Sequence, residues 1–165
     1  MKTILAVDDE PRTRQGIRRT LEAWSAGRFR IETAESGIAA LEWLEMNSAQ
    51  LILCDVRMPE LGGLQLLERL EGRQPMPAVI LISGYAEFEY AQQAIRLGVV
   101  EYLLKPLETT ALIRAVEKAL RHEAERERLE MMERLVDPKL LEAGQKEAKF
   151  GRIVKDAMAY VDEHL

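Results

Sequence analysis

Short apolar segments alternate with helix-length segments along most of the chain, and this alternation is the feature that most constrains the fold. The apolar runs predict buried β-strands at 3–7, 29–33, 50–54, 78–82 and 101–104. The intervening segments have helical spacing and predict helices at 12–24, 37–46, 62–70, 87–97 and from 108 onward. Strands separated by helix-length connections build βαβ units and hence a parallel sheet. The sequence therefore predicts an α/β fold.

Residues at the expected element ends agree with this division. Ser36 stands where it can cap the second helix with its hydroxyl oxygen. Gly98 follows the fourth helix, where a left-handed residue commonly ends a helix. Pro75 and Pro77 interrupt the chain just before the fourth strand. The local signals and the periodicity thus predict the same elements.

Polar side chains follow or end four of the predicted strands. Asp8 and Asp9 follow the first strand, Asp55 closes the third, Ser83 follows the fourth and Lys105 follows the fifth. Ligands of open parallel sheets bind at the carboxyl ends of the strands. We therefore expect three carboxylates, a hydroxyl and a lysine to converge. Such a group can hold a divalent cation and receive a phosphoryl group on an aspartate.

The adjacent acids Asp8 and Asp9 also allow a simpler interpretation. Acidic residues favour a helix N-terminus through the macrodipole, and Pro11 is suited to the first helical position. The functional interpretation gains weight because Asp55 and Lys105 occupy equivalent strand ends. Carboxylate oxygens suit Mg²⁺, which takes few protein ligands. Clusters of Cys and His that would bind zinc are absent from the sequence.

Lys105 and Ser83 are each followed by a residue that affects the local backbone. Lysine supplies a positive charge for a phosphoryl oxygen, and Pro106 allows a cis peptide bond that would direct the lysine toward the site. Ser83 offers a hydroxyl, and Gly84 leaves room beside it. A Ser-Gly pair at a strand end is equally typical of an ordinary turn.

Composition excludes several classes of function for the residues present. The net charge of −5 argues against a nucleic-acid-binding face, which needs clustered Lys and Arg. The single cysteine, Cys54, excludes an intramolecular disulfide and is expected to be a small core residue. No apolar run is long enough for a membrane helix. The first strand begins close to Met1, which predicts a chain without a signal peptide and a cytoplasmic location.

Taken in order along the chain, these residues resemble a receiver domain of two-component response regulators, of the chemotaxis type, over residues 1–122. The ordered set is specific, and it comprises Asp8-Asp9, Asp55, Met58-Pro59, Gly63, Ser83, Tyr102 and Lys105-Pro106. The resemblance implies a doubly wound, five-stranded parallel sheet in the order 2-1-3-4-5, flanked by helices. It also implies that a histidine kinase is the partner that phosphorylates Asp55.

The resemblance assigns roles to the remaining site residues. Asp9, the Asp55 carboxylate and the backbone carbonyl of Arg57 would bind Mg²⁺, with Asp8 contributing through water. Ser83 and Lys105 would hold the phosphoryl oxygens. Tyr102 would be the switch aromatic that turns inward when Ser83 shifts toward the phosphate. The resemblance implies a signalling domain that is not an enzyme, apart from self-phosphorylation from a donor and slow self-dephosphorylation.

Three positions around this set give further expectations. Gly62 departs from the family, since many receivers carry Asp there, and we expect the change to affect a loop and not the catalytic set. Arg57 and Tyr85 lie two residues after Asp55 and Ser83, and both are bulky. We predict that they flank the bound phosphoryl group, restrict attacking water and slow dephosphorylation.

The segment beyond the receiver predicts a helical linker at 123–143 and the start of a further domain at 144–165. The linker is mostly charged and is typical either of a solvated helical extension or of a dimerising coiled coil with a broken apolar stripe. The segments 84–91 and 97–106 resemble receivers attached to AraC-type DNA-binding domains, and 153–165 looks like the first helix of such a domain. We therefore expect a transcription regulator whose DNA-binding units lie outside this sequence.

The sequence also predicts a dimer interface and disfavours two other functions. A homodimer is expected through the face of the fourth helix, fifth strand and fifth helix, continuing into the helix at 108–135. A stand-alone adaptor that binds a protein partner remains the alternative. A phosphatase is disfavoured, because Arg57 occupies the position of the required general acid. A dinucleotide-binding domain is disfavoured because no Gly-x-Gly-x-x-Gly follows the first strand.

Overall fold

The computed structural model describes residues 1–73, 75–84 and 88–136 of the 165-residue chain. Five strands alternate with five helices along this part of the sequence. Their bounds, in chain order, are β1 Thr3–Val7, α1 Pro11–Ser25, β2 Arg30–Ala34, α2 Gly37–Met46, β3 Leu51–Asp55, α3 Gly63–Leu70, β4 Ala78–Ser83, α4 Phe88–Arg96, β5 Glu101–Leu104 and α5 Thr109–Leu135. The ends differ from the sequence prediction by no more than one residue wherever the prediction gave a bound.

The five strands form one all-parallel sheet in the order β2-β1-β3-β4-β5. This confirms the predicted fold class and strand order. The order reverses direction between β1 and β3, which makes their carboxyl ends the switch point where ligands of such sheets bind. In the central pair, Val7 of β1 lies opposite Cys54 of β3, so the residues that follow them leave the sheet side by side.

Two apolar layers cover the two faces of the sheet. Alternate residues of a strand point to opposite faces, so each buried strand supplies both layers. On one face, Leu5 and Ile52 pack with residues of α2, α3 and α4. On the other, Ile4 and Leu53 pack with residues of α1 and of the first part of α5. Burial on both faces explains why the central strands are continuous apolar runs rather than alternating ones.

Local contacts at the helix ends match the residues that occupy them. The Ser36 hydroxyl accepts a hydrogen bond of 3.0 Å from the backbone N–H of Ala39 and so caps α2. Pro11 is the first residue of α1, where its missing N–H is not needed. Gly98 follows α4 with a φ of 80°, a conformation that favours glycine. These three sequence predictions are confirmed.

The chain divides into two compact units, Met1–His122 and Glu123–Leu165. In the second unit the described residues are the last part of α5 and Val136. Within it, the Arg126 guanidinium Nη2 lies 2.6 Å from the Glu123 carboxylate Oε1. The predicted linker at 123–143 is described only as far as residue 136, and the predicted further domain at 144–165 lies outside the described residues, so both remain predictions.

None of the described helices combines the length and the hydropathy that crossing a bilayer would require.

Candidate functional site

The site is assembled by four neighbouring strand ends. Asp8 follows β1, Asp55 is the last residue of β3, Ser83 is the last residue of β4 and Lys105 follows β5. Ser83 lies opposite Leu104 in the parallel pairing, and the backbone N–H of Lys105 donates to the Ser83 carbonyl oxygen at 2.8 Å. The sheet therefore carries these four residues to one edge without help from a flexible loop.

Asp8, Asp9 and Asp55 form an acidic cluster. Each offers a carboxylate oxygen, and these oxygens all lie within 4.8 Å of one another. Asp8 and Asp55 are buried, with residue exposures of 1% and 6%, whereas Asp9 is exposed. Three carboxylates this close repel one another in their ionised forms. The arrangement therefore favours a cation placed between them.

Lys105 supplies one positive charge at the cluster. Its Nζ donates a hydrogen bond of 2.7 Å to Asp55 Oδ2 and another of 3.2 Å to Asp8 Oδ2. The Lys105 side chain is 20% exposed, so the ammonium group bridges two buried carboxylates from the solvent side. The Lys105–Pro106 peptide bond is cis, which confirms the isomer suggested by the sequence.

Hydrogen bonds from neighbouring residues hold both buried aspartates in position. The Glu10 N–H donates to Asp8 Oδ1 at 2.8 Å, and the Arg14 guanidinium donates to the Asp8 carbonyl oxygen at the same distance. On the other strand, the Arg57 N–H donates to Asp55 Oδ1 at 3.2 Å. Asp55 therefore accepts from Arg57 on one oxygen and from Lys105 on the other.

The pKa of the Asp8 carboxyl is raised above its ordinary value of 3.8. Burial is the main cause, and the charge of Asp55 acts in the same direction. The hydrogen bond from the Glu10 backbone and the charge of Lys105 oppose the shift without cancelling it. The ionised form of Asp8 is thus held at a free-energy cost that a bound cation would relieve.

The pKa of the Lys105 ammonium is shifted in the direction expected for a paired cation. Burial alone would lower it, but the hydrogen bond to Asp55 and the charges of Asp55 and Asp8 outweigh burial, and the pKa is raised above 10.5. Burial together with the same carboxylates raises the pKa of the Cys54 thiol. Cys54 is 1% exposed and belongs to the apolar core, as predicted.

The loop between β3 and α3 is tightly folded at two glycines. The Gly63 N–H donates to the Val56 carbonyl oxygen at 3.0 Å, which closes the loop just after Asp55. A Cβ atom on Gly63 would lie 2.6 Å from the Asp55 carbonyl oxygen, and one on Gly62 would collide with the Val56 carbonyl oxygen. The departure from the family at Gly62 therefore coincides with a position where this loop has no space for a side chain.

The remaining predicted residues occupy different surroundings. Ser83 is 1% exposed at the sheet edge. Tyr102, on β5, is half-buried and packs against the core layer of α2, α3 and α4. Arg57 is exposed in the loop after β3. Tyr85 lies outside the described residues, so its predicted position beside the phosphoryl group stays a prediction.

Sequence reasoning missed the aromatic partner of Arg57. The Arg57 guanidinium carbon lies 5.3 Å from the centre of the Tyr90 ring, a cation–π contact between the β3–α3 loop and α4. The two residues are 33 positions apart in sequence, and no local pattern relates them. Only the resemblance of the stretch 84–91 to AraC-type regulators gave any signal at the tyrosine.

The donor set agrees with a hard divalent cation. Three carboxylates offer oxygen ligands, which Mg²⁺ prefers, and one of the three is open to solvent so that coordinated water could be kept. Of the two histidines, His122 is exposed on α5 and His164 lies outside the described residues. A zinc-type centre has no support among the described residues.

Comparison with known proteins agrees with this geometry. Residues 4–117 match the family model of the response regulator receiver domain. The chain is 34% identical over 120 residues to the uncharacterized transcriptional regulatory protein YesN of Bacillus subtilis, covering 73% of this chain and 33% of that protein. It is also 34% identical over 119 residues to the transcriptional regulatory protein ZraR of Escherichia coli K12, covering 72% and 26%.

A solved structure supports the same assignment. The CheY-like response regulator receiver domain protein of Methanospirillum hungatei superposes with a TM-score of 0.70 at 26% identity, covering 76% of this chain and 98% of that one. The fold and the strand-end residues define a parallel α/β signalling domain. The chain belongs to the response regulator receiver domain family. It spans about a third or less of the length of YesN and ZraR.

Proposed function

We propose that the chain is a phosphorylation-controlled switch in which Asp55 accepts a phosphoryl group from a histidine kinase. The observation that carries this proposal is the Lys105 ammonium, held 2.7 Å from Asp55 and 3.2 Å from Asp8 within a cluster of three carboxylates. A nucleophilic carboxylate beside a fixed cation and a cation-binding set is what phosphoryl transfer to aspartate needs.

The chain's own residues divide the work of the transfer. One oxygen of Asp55 attacks phosphorus, the bond from phosphorus to the donor atom breaks, and the leaving group departs with its electron pair. Lys105 neutralises charge on the transferring phosphoryl group. Ser83 offers a hydroxyl that can donate to a phosphoryl oxygen once the β4 end shifts. The Arg57 N–H, at 3.2 Å from Asp55 Oδ1, fixes the carboxylate orientation.

Mg²⁺ would be held by Asp9, the Asp55 carboxylate and the Arg57 backbone carbonyl, with Asp8 contributing through water. When bound, it would neutralise charge on the phosphoryl oxygens during transfer. Asp8 fits the less direct role, since it is almost fully buried and already bonded to Lys105 and to the Glu10 N–H. The raised pKa of Asp8 is consistent with a site that binds a cation in addition to the Lys105 ammonium.

The product would bias a two-state element of the domain. Phosphorylation adds negative charge at the strand edge, and Ser83 and Lys105 can both reach it in only one loop arrangement. Tyr102 would follow Ser83 inward, since β4 and β5 are neighbouring strands and Tyr102 packs against the layer that contains α4. Arg57 and Tyr85 would flank the phosphoryl group and slow its hydrolysis. The domain itself would not act as a multiple-turnover enzyme.

The output would be control of transcription by a DNA-binding region outside this chain. The names of YesN and ZraR describe transcriptional regulators, and both proteins are about three or more times as long as the matched region. The resemblance of 84–91 and 97–106 favours an AraC-type region beginning near 144–165. A homodimer through α4, β5 and α5 would transmit the switch. Ile95 of α4 and Leu104 of β5 are 75% and 49% exposed, so both elements carry an exposed apolar side chain.

Intact mass after incubation with Mg²⁺ and a small-molecule phosphodonor tests the proposal. Wild type should gain one phosphoryl group, and Asp55→Asn should gain none, although both fold. Arg57→Ala and Tyr85→Ala should still be phosphorylated but should lose the group faster. The proposal fails if the adduct forms equally on Asp55→Asn. Sizing of both forms then tests the dimer, for which phosphorylation should lower the dissociation constant.

A further inference from the structure

Two of the contacts of Arg57 point in different directions along the molecule. Its backbone N–H donates to Asp55 Oδ1 at 3.2 Å. Its guanidinium carbon lies 5.3 Å from the centre of the Tyr90 ring. A single residue therefore connects the carboxylate at the end of β3 with the helix α4, which precedes β5 in sequence.

Tyr90 is well suited to serve as the fixed end of this contact. It lies in the first turn of α4, is half-buried, and packs against the core layer formed with α2 and α3. Ala94, one turn later on the same face, is fully buried in that layer. A movement of the Tyr90 ring would therefore be a movement of α4 itself.

The contact spans an open space between the loop and the helix. A cavity of about 570 Å³ is lined by residues of the β3–α3 loop, by Leu64 and Gln65 of α3, and by Tyr90. Close apolar packing does not fill this gap, so the stacked guanidinium is a bridge across it. Bridges of this kind are weak when exposed, about 0.5–1 kcal/mol, which is a suitable size for an interaction that must be made and broken.

We propose that Arg57 is a positioning residue whose stacking on Tyr90 couples the state of Asp55 to the position of α4. This inference rests on the proposed phosphorylation of Asp55. Extra negative charge on Asp55 attracts the Arg57 guanidinium and displaces the backbone N–H that now donates to the carboxylate. Both changes pull the guanidinium from the Tyr90 ring. The first turn of α4 is then released from the loop, in addition to any movement of Tyr102.

Amide hydrogen exchange of α4 measures this coupling directly, because local opening is read residue by residue. In the unphosphorylated protein, Arg57→Ala should speed exchange in α4 by about two- to fivefold, the factor that corresponds to an exposed cation–π contact. Tyr90→Leu should speed it by at least as much, because it also removes contacts of the ring with the core layer. The double variant should exchange no faster than Tyr90→Leu alone, because either single change already removes the shared contact. Tyr90→Phe keeps the ring and should match wild type.

The phosphorylated protein gives the second arm. Phosphorylation should accelerate α4 exchange in wild type and in Tyr90→Phe, and the acceleration should be smaller by the same two- to fivefold in Tyr90→Leu. Additive effects of Arg57→Ala and Tyr90→Leu, or a Tyr90→Phe variant that behaves like Tyr90→Leu, would overturn the coupling. A purely structural role of the tyrosine would give that additive result.

A matched control is present elsewhere in the chain. Arg28 lies 4.8 Å from the centre of the Trp24 ring, at the end of α1, so Arg28→Ala removes another cation–π contact. Exchange in α4 should not respond to it. Failure of the proposed function would appear as no mass gain on wild type after incubation with the phosphodonor. The exchange experiments on the unphosphorylated variants do not depend on that result, so the two failures can be distinguished.

Discussion

Replacing Lys105 by Met should destabilise the protein in the absence of divalent cations. The change removes the ammonium group that lies 2.7 Å from Asp55 and 3.2 Å from Asp8, and it keeps a side chain of similar length. The Asp8 and Asp55 side chains are only 1% and 8% exposed, so water can solvate them poorly once the lysine is gone. Two buried, mutually repelling carboxylates would remain at the strand edge.

The magnitude follows from the burial of the three groups. Removing one partner of a fully buried ion pair costs about 3–5 kcal/mol. The Lys105 side chain is 20% exposed, and protonation of Asp8 offers partial relief, so we expect about 2–3 kcal/mol here. For a domain of this size that loss corresponds to a fall in Tm of about 8–12 °C.

Thermal and denaturant unfolding, followed by circular dichroism in EDTA and again in Mg²⁺, measure the effect. Lys118→Met is the matched control, because its Nζ also lies 2.9 Å from a carboxylate, that of Glu101, but its side chain is 57% exposed. Exposed pairs contribute about 0–1 kcal/mol, so the control should change little. Saturating Mg²⁺ should narrow the deficit of Lys105→Met. Equal stability of Lys105→Met and wild type in EDTA at pH 7 would refute the reasoning.

The pH dependence has a definite sign. The folded-state pKa of Lys105 is raised above 10.5, so its stabilisation is complete below the unfolded value and is lost as the pH rises through the folded one. The difference between wild type and Lys105→Met should therefore disappear in alkaline solution. The stability difference between wild type and Lys105→Met should also decrease in acid, because protonation of Asp8 and Asp55 removes the charges that Lys105 neutralises.

Two further perturbations test the same site. Asp8→Asn should stabilise the Mg²⁺-free protein at pH 7, because the raised pKa of Asp8 means that its ionised form is disfavoured in the folded state. This gain in unfolding free energy should vanish as the pH falls toward 3.8. Calorimetry at several pH values would measure the gain. Gly63→Ala should cost about 1–3 kcal/mol, since its Cβ would lie 2.6 Å from the Asp55 carbonyl oxygen; denaturant unfolding that matches wild type would contradict this.

The site residues at the strand ends could be predicted from sequence because their positions follow from the parallel sheet alone. Once a parallel sheet is accepted, residues after its strands must lie at one edge. Asp8, Asp55 and Lys105 therefore meet whatever the details of the helices, and the structure joins all three by hydrogen bonds. The residue types also favoured a functional site, because acidic residues and a lysine at adjacent strand ends seldom serve a purely structural role.

The contact between Arg57 and Tyr90 lies beyond that reasoning for a physical reason. It depends on the path of the loop after β3, on the rotation of α4 about its axis, and on the rotamer of a long exposed arginine. Each of these is set by tertiary packing and not by the spacing of residues in sequence. Periodicity identified α4 and placed its ends within one residue, but it does not say which polar side chain of another element a half-buried ring will meet.

Gly62 illustrates how the resemblance and the structure answer different questions. The resemblance identified it as a departure from receivers that carry Asp, in a loop outside the catalytic set. The structure adds that a side chain there would collide with the Val56 carbonyl oxygen, which also accepts the Gly63 N–H at 3.0 Å. Val56 directly follows Asp55, so a displaced Val56 carbonyl would move the backbone that carries the carboxylate. Gly62 therefore helps to position Asp55, because the tight loop that it permits fixes the backbone of Val56 next to the aspartate.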